Sequence, residues 1–101
     1  MEKRRPSFDL EAFKAVCGDP QRLRITATAR LSAASLGFDT ADIAKVIRSM
    51  KPAHFQKSMT SYHDHRKWQD VYHVSWDQML LYVKFTDDVV SAFTVLSFKE
   101  R

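Results

Sequence analysis

Three of the chain's four histidines and two of its tyrosines fall in one stretch, KSMTSYHDHRKWQDVYH, residues 57–73. Two chemistries can be built from it. His63 and His65 are spaced i, i+2, so they point to one side of an extended backbone with Asp64 between them. That is the beginning of a metal site, but a closed site needs about four ligands. The turn offers two imidazoles and an awkward carboxylate, and the only cysteine, Cys17, adds no thiolate cluster. No metal and no cofactor is assigned, and His63–Arg66 reads as a solvated turn. The second chemistry uses the outer members of the stretch, Lys57 and Gln69, together with Tyr82 and Lys99. Two ammonium groups, an amide and a phenol suit a phosphodiester. The lysines supply point charges for a phosphate and for the charge that builds in its transition state. A phenol near ammonium groups is easier to deprotonate. Lysines on strands more often only solvate a sheet edge, so everything depends on whether the four side chains reach one surface.

The elements that must position them divide into a helical half, about 7–51, and a stranded half, about 54–100. Ser7 is placed to cap FDLEAFKAVC, where Leu10, Phe13, Val16 and Cys17 recur at helical spacing. Gly18-Asp19-Pro20 stops that helix, and QRLRIT reads as a short extended piece. Thr26 caps ATARLSAASL, which Gly37 ends in the left-handed conformation. Asp39 or Thr40 caps ADIAKVIRSM, whose apolar face is Ile43, Val46, Ile47 and Met50, with Lys45 and Arg48 opposite and Pro52 closing the segment. From residue 54 the period becomes two. HFQKSMTSY, KWQDVYHVS, MLLYVKFT and VSAFTVLSFK are strand candidates, separated by turns at His63–Arg66, Trp76–Gln78 and Asp87-Asp88. Helices followed by an antiparallel meander predict an α+β, two-layer fold in a single domain, 1–101.

Alternation then sorts the side chains by face. Met79, Leu81, Val83 and Phe85 form an apolar row, which sends Leu80, Tyr82 and Lys84 to the other side. In the last strand Ala92, Thr94, Leu96 and Phe98 form one row and Phe93, Val95, Ser97 and Lys99 the other. A two-residue turn at Asp87-Asp88 sets Tyr82 opposite Phe93, on the face of Lys99. Lys57 and Gln69 share a face only if the loop between their strands has an odd number of residues, because a slip of one flips every side chain. An odd loop buries Trp68, Tyr72 and Val74 and leaves Lys57, Met59, Gln69, Val71 and His73 on the other face, which is the sensible burial. One sheet face then carries Lys57, Gln69, Tyr82 and Lys99.

The composition sets wide bounds on this reading. The 101 residues are 45% hydrophobic, with 2 Gly and 3 Pro, which suits a packed globule and not a disordered tail. Lys+Arg 16 against Asp+Glu 12 gives a net charge of +4, a mild excess that permits an anionic partner such as RNA without demanding one. The basic start MEKRRPSF is not followed by an apolar run, no segment approaches membrane-spanning length, and one cysteine excludes an internal disulfide. These features read as a cytoplasmic protein with no membrane role.

FQKSMTSYHDHRKWQDVYH, with LYVKFT, the terminal VLSFKER, the opening MEKRRP and the Gly37 region, resembles the MqsR (motility quorum-sensing regulator) toxin family over essentially the whole chain. The resemblance implies a RelE-like bacterial ribonuclease fold and an mRNA interferase of a type II toxin–antitoxin system, cutting at GC-containing sites such as GCU and arresting growth. It implies a cognate MqsA-type antitoxin with its own zinc site and helix-turn-helix, through which the pair would reach operator DNA. By the same resemblance the catalytic positions fall on Lys57, Gln69, Tyr82 and Lys99. The candidate substrate contacts are His65, His73, Lys84, Arg22 and Arg24. Three departures stand out. His73 replaces an arginine of the family pattern, the Trp76-Asp77 pair is added, and the last hairpin is about two residues longer. Metal-free cleavage through the RNA 2′-hydroxyl, giving a 2′,3′-cyclic phosphate and a 5′-hydroxyl, is the expected reaction. The alternatives are a catalytically silent RNA- or ribosome-binding module on the same fold, or an interaction protein that pairs through its exposed sheet edge.

Overall fold

The computed structural model describes all 101 residues. Three helices, α1 (Leu10–Cys17), α2 (Ala27–Ser35) and α3 (Thr40–Arg48), precede a short 3-10 turn at Pro52–His54 and most of the sheet. The sheet is antiparallel in the order β1-β2-β3-β4-β5, with β1 at Glu2–Lys3, β2 at Phe55–Thr60, β3 at Trp68–Trp76, β4 at Met79–Asp88 and β5 at Ala92–Glu100. The α+β architecture is as expected. β1 is an addition, since two residues are too short to show periodicity.

Local chemistry explains the helix ends. Asp9, not Ser7, caps α1, accepting from the backbone N–H of Glu11 at 2.9 Å and of Ala12 at 3.3 Å. Ser7 is unavailable because its N–H donates to Asp70 and its hydroxyl meets that of Ser58 at 2.6 Å. Thr26 caps α2 through Ala29 N–H, and Gly37 follows its end at φ +89°, where a side chain would be strained. Asp39 and Asp42 form a reciprocal capping box at the start of α3. α1 and α3 bury the stripes their spacing predicts, and Phe13 of α1 stacks on Phe85 with ring centroids 3.6 Å apart.

The hairpins fix which side chains face these helices. Thr60 pairs with Trp68, and Ser61 N–H donates to Lys67 C=O at 2.8 Å, so residues 62–66 form the loop, an odd number. Tyr72 and Val74 are accordingly buried, whereas Trp68 is only half-buried, with the Lys3 ammonium 4.2 Å from its ring centroid. Trp76 belongs to β3, paired with Met79, and the turn narrows to Asp77 and Gln78, both at positive φ, +47° and +69°. Such a turn suits the right-handed strand twist.

The last hairpin corrects the expected register. Asp88 pairs with Ala92, so the turn is Val89-Val90-Ser91, with Ala92 at φ +69°. Farther along, Lys84 pairs with Ser97 but Phe85 with Val95, so Leu96 is an extra residue, a β-bulge. The bulge switches parity along β5. Phe93 and Val95 join Phe98 in the core, not Ala92, Thr94 and Leu96 as simple alternation predicts. Tyr82 pairs with Lys99 itself and not with Phe93. Beyond β5, Ile25 bridges Val95, so the segment after α1 covers part of the sheet's other edge. No helix is long and apolar enough to cross a membrane.

Candidate active site

The sheet face away from the helices is crossed by two rows of paired residues. One runs Lys57–Val71–Lys84–Ser97 and the next His73–Tyr82–Lys99. Directly paired residues share a face, with Cβ atoms about 5 Å apart. Lys57, Tyr82 and Lys99, drawn from three different strands, therefore lie on one surface, with Lys84 and His73 between them. The Lys99 ammonium is 5.2 Å from the Tyr82 ring centroid, and the His73 ring is 5.7 Å from the same ring. Gln69 lies opposite Met59, one step along β3 from Val71, and so sits diagonally from Lys57.

A cavity of about 450 Å³ opens on this face, lined by Arg4, Gln56, Lys57, Val71, His73, Tyr82 and Arg101. It holds Lys57, Tyr82 and His73 of the sequence-predicted set; Lys99 and Lys84 pair with its residues Tyr82 and Val71, and Gln69 is not among its lining residues. Its floor, Val71, is fully buried although no helix covers it, so the long side chains around it must shield it.

Gln56, Arg101 and Glu2 were missed by sequence reasoning, which takes Arg4 for a solvated charge ahead of a phosphate contact. Arg101 had a signal, since it follows Lys99 at the i, i+2 spacing of a strand, and its N–H is bonded to Leu80 C=O at 2.8 Å. Arg4 had none. It is brought in by the two-residue β1, and its guanidinium donates to Gln56 C=O at 3.3 Å. Glu2, opposite Met59, accepts from the Lys57 ammonium at 2.9 Å.

The charges shape one another. The hydrogen bond and charge of Lys57 hold the Glu2 carboxyl below the usual carboxylate range. Burial, then the nearby charges of Arg101 and Lys57, push His73 below its ordinary value, so its imidazole is neutral at physiological pH. Burial, then Lys99, lower Lys84. By contrast Tyr72, on the core side, is pushed up to about 12 by burial and then by Asp70 and Asp9, which leaves it a packing residue. Cys17 is buried against β5 with its thiol pushed up by burial, and it takes no part.

The remaining candidates lie elsewhere. His65 is exposed on the β2–β3 loop, where Asp64 is engaged by the Arg66 backbone at 2.9 Å and guanidinium at 3.2 Å. Asp64 thus organises its own turn. Arg22 and Arg24 border a separate cavity of about 480 Å³ beside the Val90–Ala92 turn, and Arg24 is paired with Asp88 at 3.2 Å. They do not join the lysine face.

The motif's acidic residue, Asp70, points the other way. It is fully buried and accepts from Ser7 N–H through both oxygens and from Phe8 N–H, each at 3.0 Å. It moors the start of α1 to the sheet and so acts in the scaffold.

A family model described as "Motility quorum-sensing regulator, toxin of MqsA" matches residues 5–100. The mRNA interferase toxin MqsR of Escherichia coli (strain K12) is 39% identical over 101 residues, covering 100% of both chains. With the match running from the arginines after β1 to the end of β5, the chain belongs to the motility quorum-sensing regulator family of toxins.

Proposed function

We propose that this chain is the toxin of a type II toxin–antitoxin pair and an endoribonuclease that cleaves mRNA at GC-containing sites such as GCU. The observation that carries the proposal is the convergence of Lys57, Tyr82 and Lys99, from three strands, on one open face walled by further cations. Such a face suits a single RNA strand. Phosphates meet ammonium and guanidinium groups, and the exposed face leaves room for the chain.

The reaction uses the substrate's own 2′-hydroxyl as nucleophile, so the protein's tasks are positioning and electrostatics. The O2′–P bond forms and the P–O5′ bond breaks, leaving a 2′,3′-cyclic phosphate and a 5′-hydroxyl. Tyr82 or one of the lysines takes the 2′-OH proton, and another of these groups gives a proton to the departing O5′. Lys57 and Lys99 stabilise the negative phosphorane between them, and Gln69 orients a phosphate oxygen or a base. His73, Lys84 and His65 contact the strand farther out, and Arg22 and Arg24 serve as an outlying phosphate track. The antitoxin partner is of the MqsA type, with a zinc site and a helix-turn-helix, and the toxin acts in the cytoplasm on messages.

Cleavage of a total RNA pool, with cut sites and end groups mapped, tests the reading. Wild type is expected to cut at GC-containing sites, leave the stated ends and keep its rate in EDTA. Lys57→Ala, Lys99→Ala, Gln69→Ala and Tyr82→Phe, each checked for folding, separate the roles. Loss of one charged stabiliser raises the barrier by about 3–4 kcal/mol, roughly a hundredfold or more in rate. If all four variants cut like wild type, the site is wrong.

A further inference from the structure

The cations of the open face form two sets around Tyr82. Lys84 and Lys99 lie toward β5. Arg4, Lys57 and Arg101 line the cavity, and they come from the N-terminal segment, β2 and the residue that follows β5. Lys57 and Lys99 are enough to hold the phosphate that reacts. The two guanidinium groups beyond them imply that a second phosphate of the same strand is gripped as well. We infer that Arg4 and Arg101, in the cavity beside Lys57, bind a phosphate of the substrate strand adjacent to the reacting one, and that His73 takes up a proton when the cavity fills. This inference rests on the RNA-cleavage reading above.

The chemistry of the cavity supports this role. Its lining holds Arg4, Arg101 and Lys57 and no carboxylate, and the Glu2 carboxylate outside it is paired with Lys57. The two guanidinium groups in its lining match the oxygens of a phosphate, which each can engage through two N–H groups. His73 sits against this cluster on β3. From β4 it faces the Tyr82 phenol directly and Lys84 diagonally; from β2 it faces Lys57, with Lys99 beyond Tyr82. Burial is the larger penalty on protonating the imidazole, and the positive charges of Arg101 and Lys57 add to it. A phosphodiester entering the cavity reverses the local field, so the imidazolium becomes favourable and its N–H becomes one more donor. By linkage, binding that takes up a proton must tighten as pH falls.

The probe is a fully 2′-O-methylated oligoribonucleotide containing GCU, which cannot be cut, titrated into the full chain by fluorescence anisotropy. The expected result for wild type is affinity that rises as pH falls from 7.5 to 5.5, by at most tenfold per unit for one proton. His73→Gln is expected to flatten that dependence, and His73→Asn to do the same, with melting curves confirming that both are folded. Arg4→Ala and Arg101→Ala are each expected to lower the slope of log affinity against log salt by about 0.7, the single-strand value for one lost phosphate contact. A pH-independent wild type, a pH slope that survives in both His73 variants, or unchanged salt slopes in both arginine variants would overturn the inference. A polyglutamate peptide of equal charge, run alongside, must bind more weakly; equal binding would reduce the site to a general attraction for polyanions. Cleavage of unmodified RNA is read separately. Cleavage without proton-linked binding removes this inference alone, and proton-linked binding without cleavage removes the catalytic reading alone.

Discussion

Replacing Asp70 gives the strongest test of how the sheet and helices are joined. Its two oxygens accept from Ser7 N–H and Phe8 N–H at 3.0 Å, and none of the residue is exposed. Asp70→Ala leaves two backbone donors without their acceptor beside a small void. Hydrogen bonds to a charged group are worth about 1.5–3 kcal/mol each. Both donors lie in a partly buried segment that water can reach after some opening, so the lower end applies, for a total of about 3 kcal/mol. A domain of this size has about 5–15 kcal/mol in all, so the loss is large but survivable. Asp70→Asn keeps one acceptor oxygen but turns an NH2 group toward a backbone donor, and should cost roughly half as much. Urea unfolding is the assay. With a slope of about 1.5 kcal/mol/M for a small domain, the Asp70→Ala midpoint should fall by about 2 M with the slope unchanged. A fall of less than about 0.5 M would mean that the clamp does not hold α1 to β3. Single-turnover cleavage by the folded fraction, measured well below the midpoint, should stay within a few-fold of wild type. A hundredfold loss there would return Asp70 to the chemistry and refute the scaffold assignment.

Glu2→Gln should leave the urea midpoint within about 0.3 M, since an exposed ion pair contributes little, yet bind the uncuttable oligonucleotide a few-fold more tightly at low salt because Lys57 is released. Replacing Asp77-Gln78 by Asn-Gly relieves two non-glycine residues at positive φ and should stabilise by about 1 kcal/mol, seen as a melting rise of about 4–8 °C. Acid should weaken the fold. His54 and His73 both have folded-state values below the ordinary 6.5, chiefly through burial. The unfolded chain therefore binds more protons, and stability falls as pH drops below that value. The urea midpoint at pH 5.5 should lie below that at pH 7.5, and His73→Gln should narrow the gap.

The helices and the odd-numbered loop were legible because each rests on local chemistry. Thr26 and Asp39 are residues that satisfy free N–H groups, and Tyr72 and Val74 fail to reach the core unless the loop is odd. The register of β5 was not legible, because period-two reading assumes one residue opposite one. The segment FTVLSF has apolar residues at 93, 95, 96 and 98, a pattern that fits neither parity throughout. That break is the mark of the bulge at Leu96, which lets Phe93, Val95 and Phe98 all face the helices. Simple alternation thus placed Tyr82 beside Lys99 through the wrong pairing. Ser7 was a reasonable cap by type, but a partner 63 residues away in sequence claims its N–H, which no local signal could reveal. Arg4 was hidden for a similar reason, since its position depends on a two-residue strand set by pairing with β2.

The bulge also explains why the open face can be both cationic and stable. Without the extra residue, the β5 row facing the helices near Phe98 would continue through Leu96 and Thr94 and leave Phe93 and Val95 on the other side. Those apolar groups would then lie among Lys84 and Lys99 and call for a covering layer. With the bulge, they pack below, and the open face keeps Val71 as its buried apolar floor under long charged side chains. The cost is visible in Lys84, which burial first and then the charge of Lys99 push below its ordinary value. Glu2 offsets it at one corner only. A face of this kind is stabilised by any polyanion that fills it, and the stabilisation must equal the differential affinity of that ligand for the folded chain. The fold and its substrate are therefore coupled in one direction that can be measured. An uncuttable RNA should raise the melting temperature of wild type more than that of Lys57→Ala or Lys99→Ala, and the difference should shrink as salt is added.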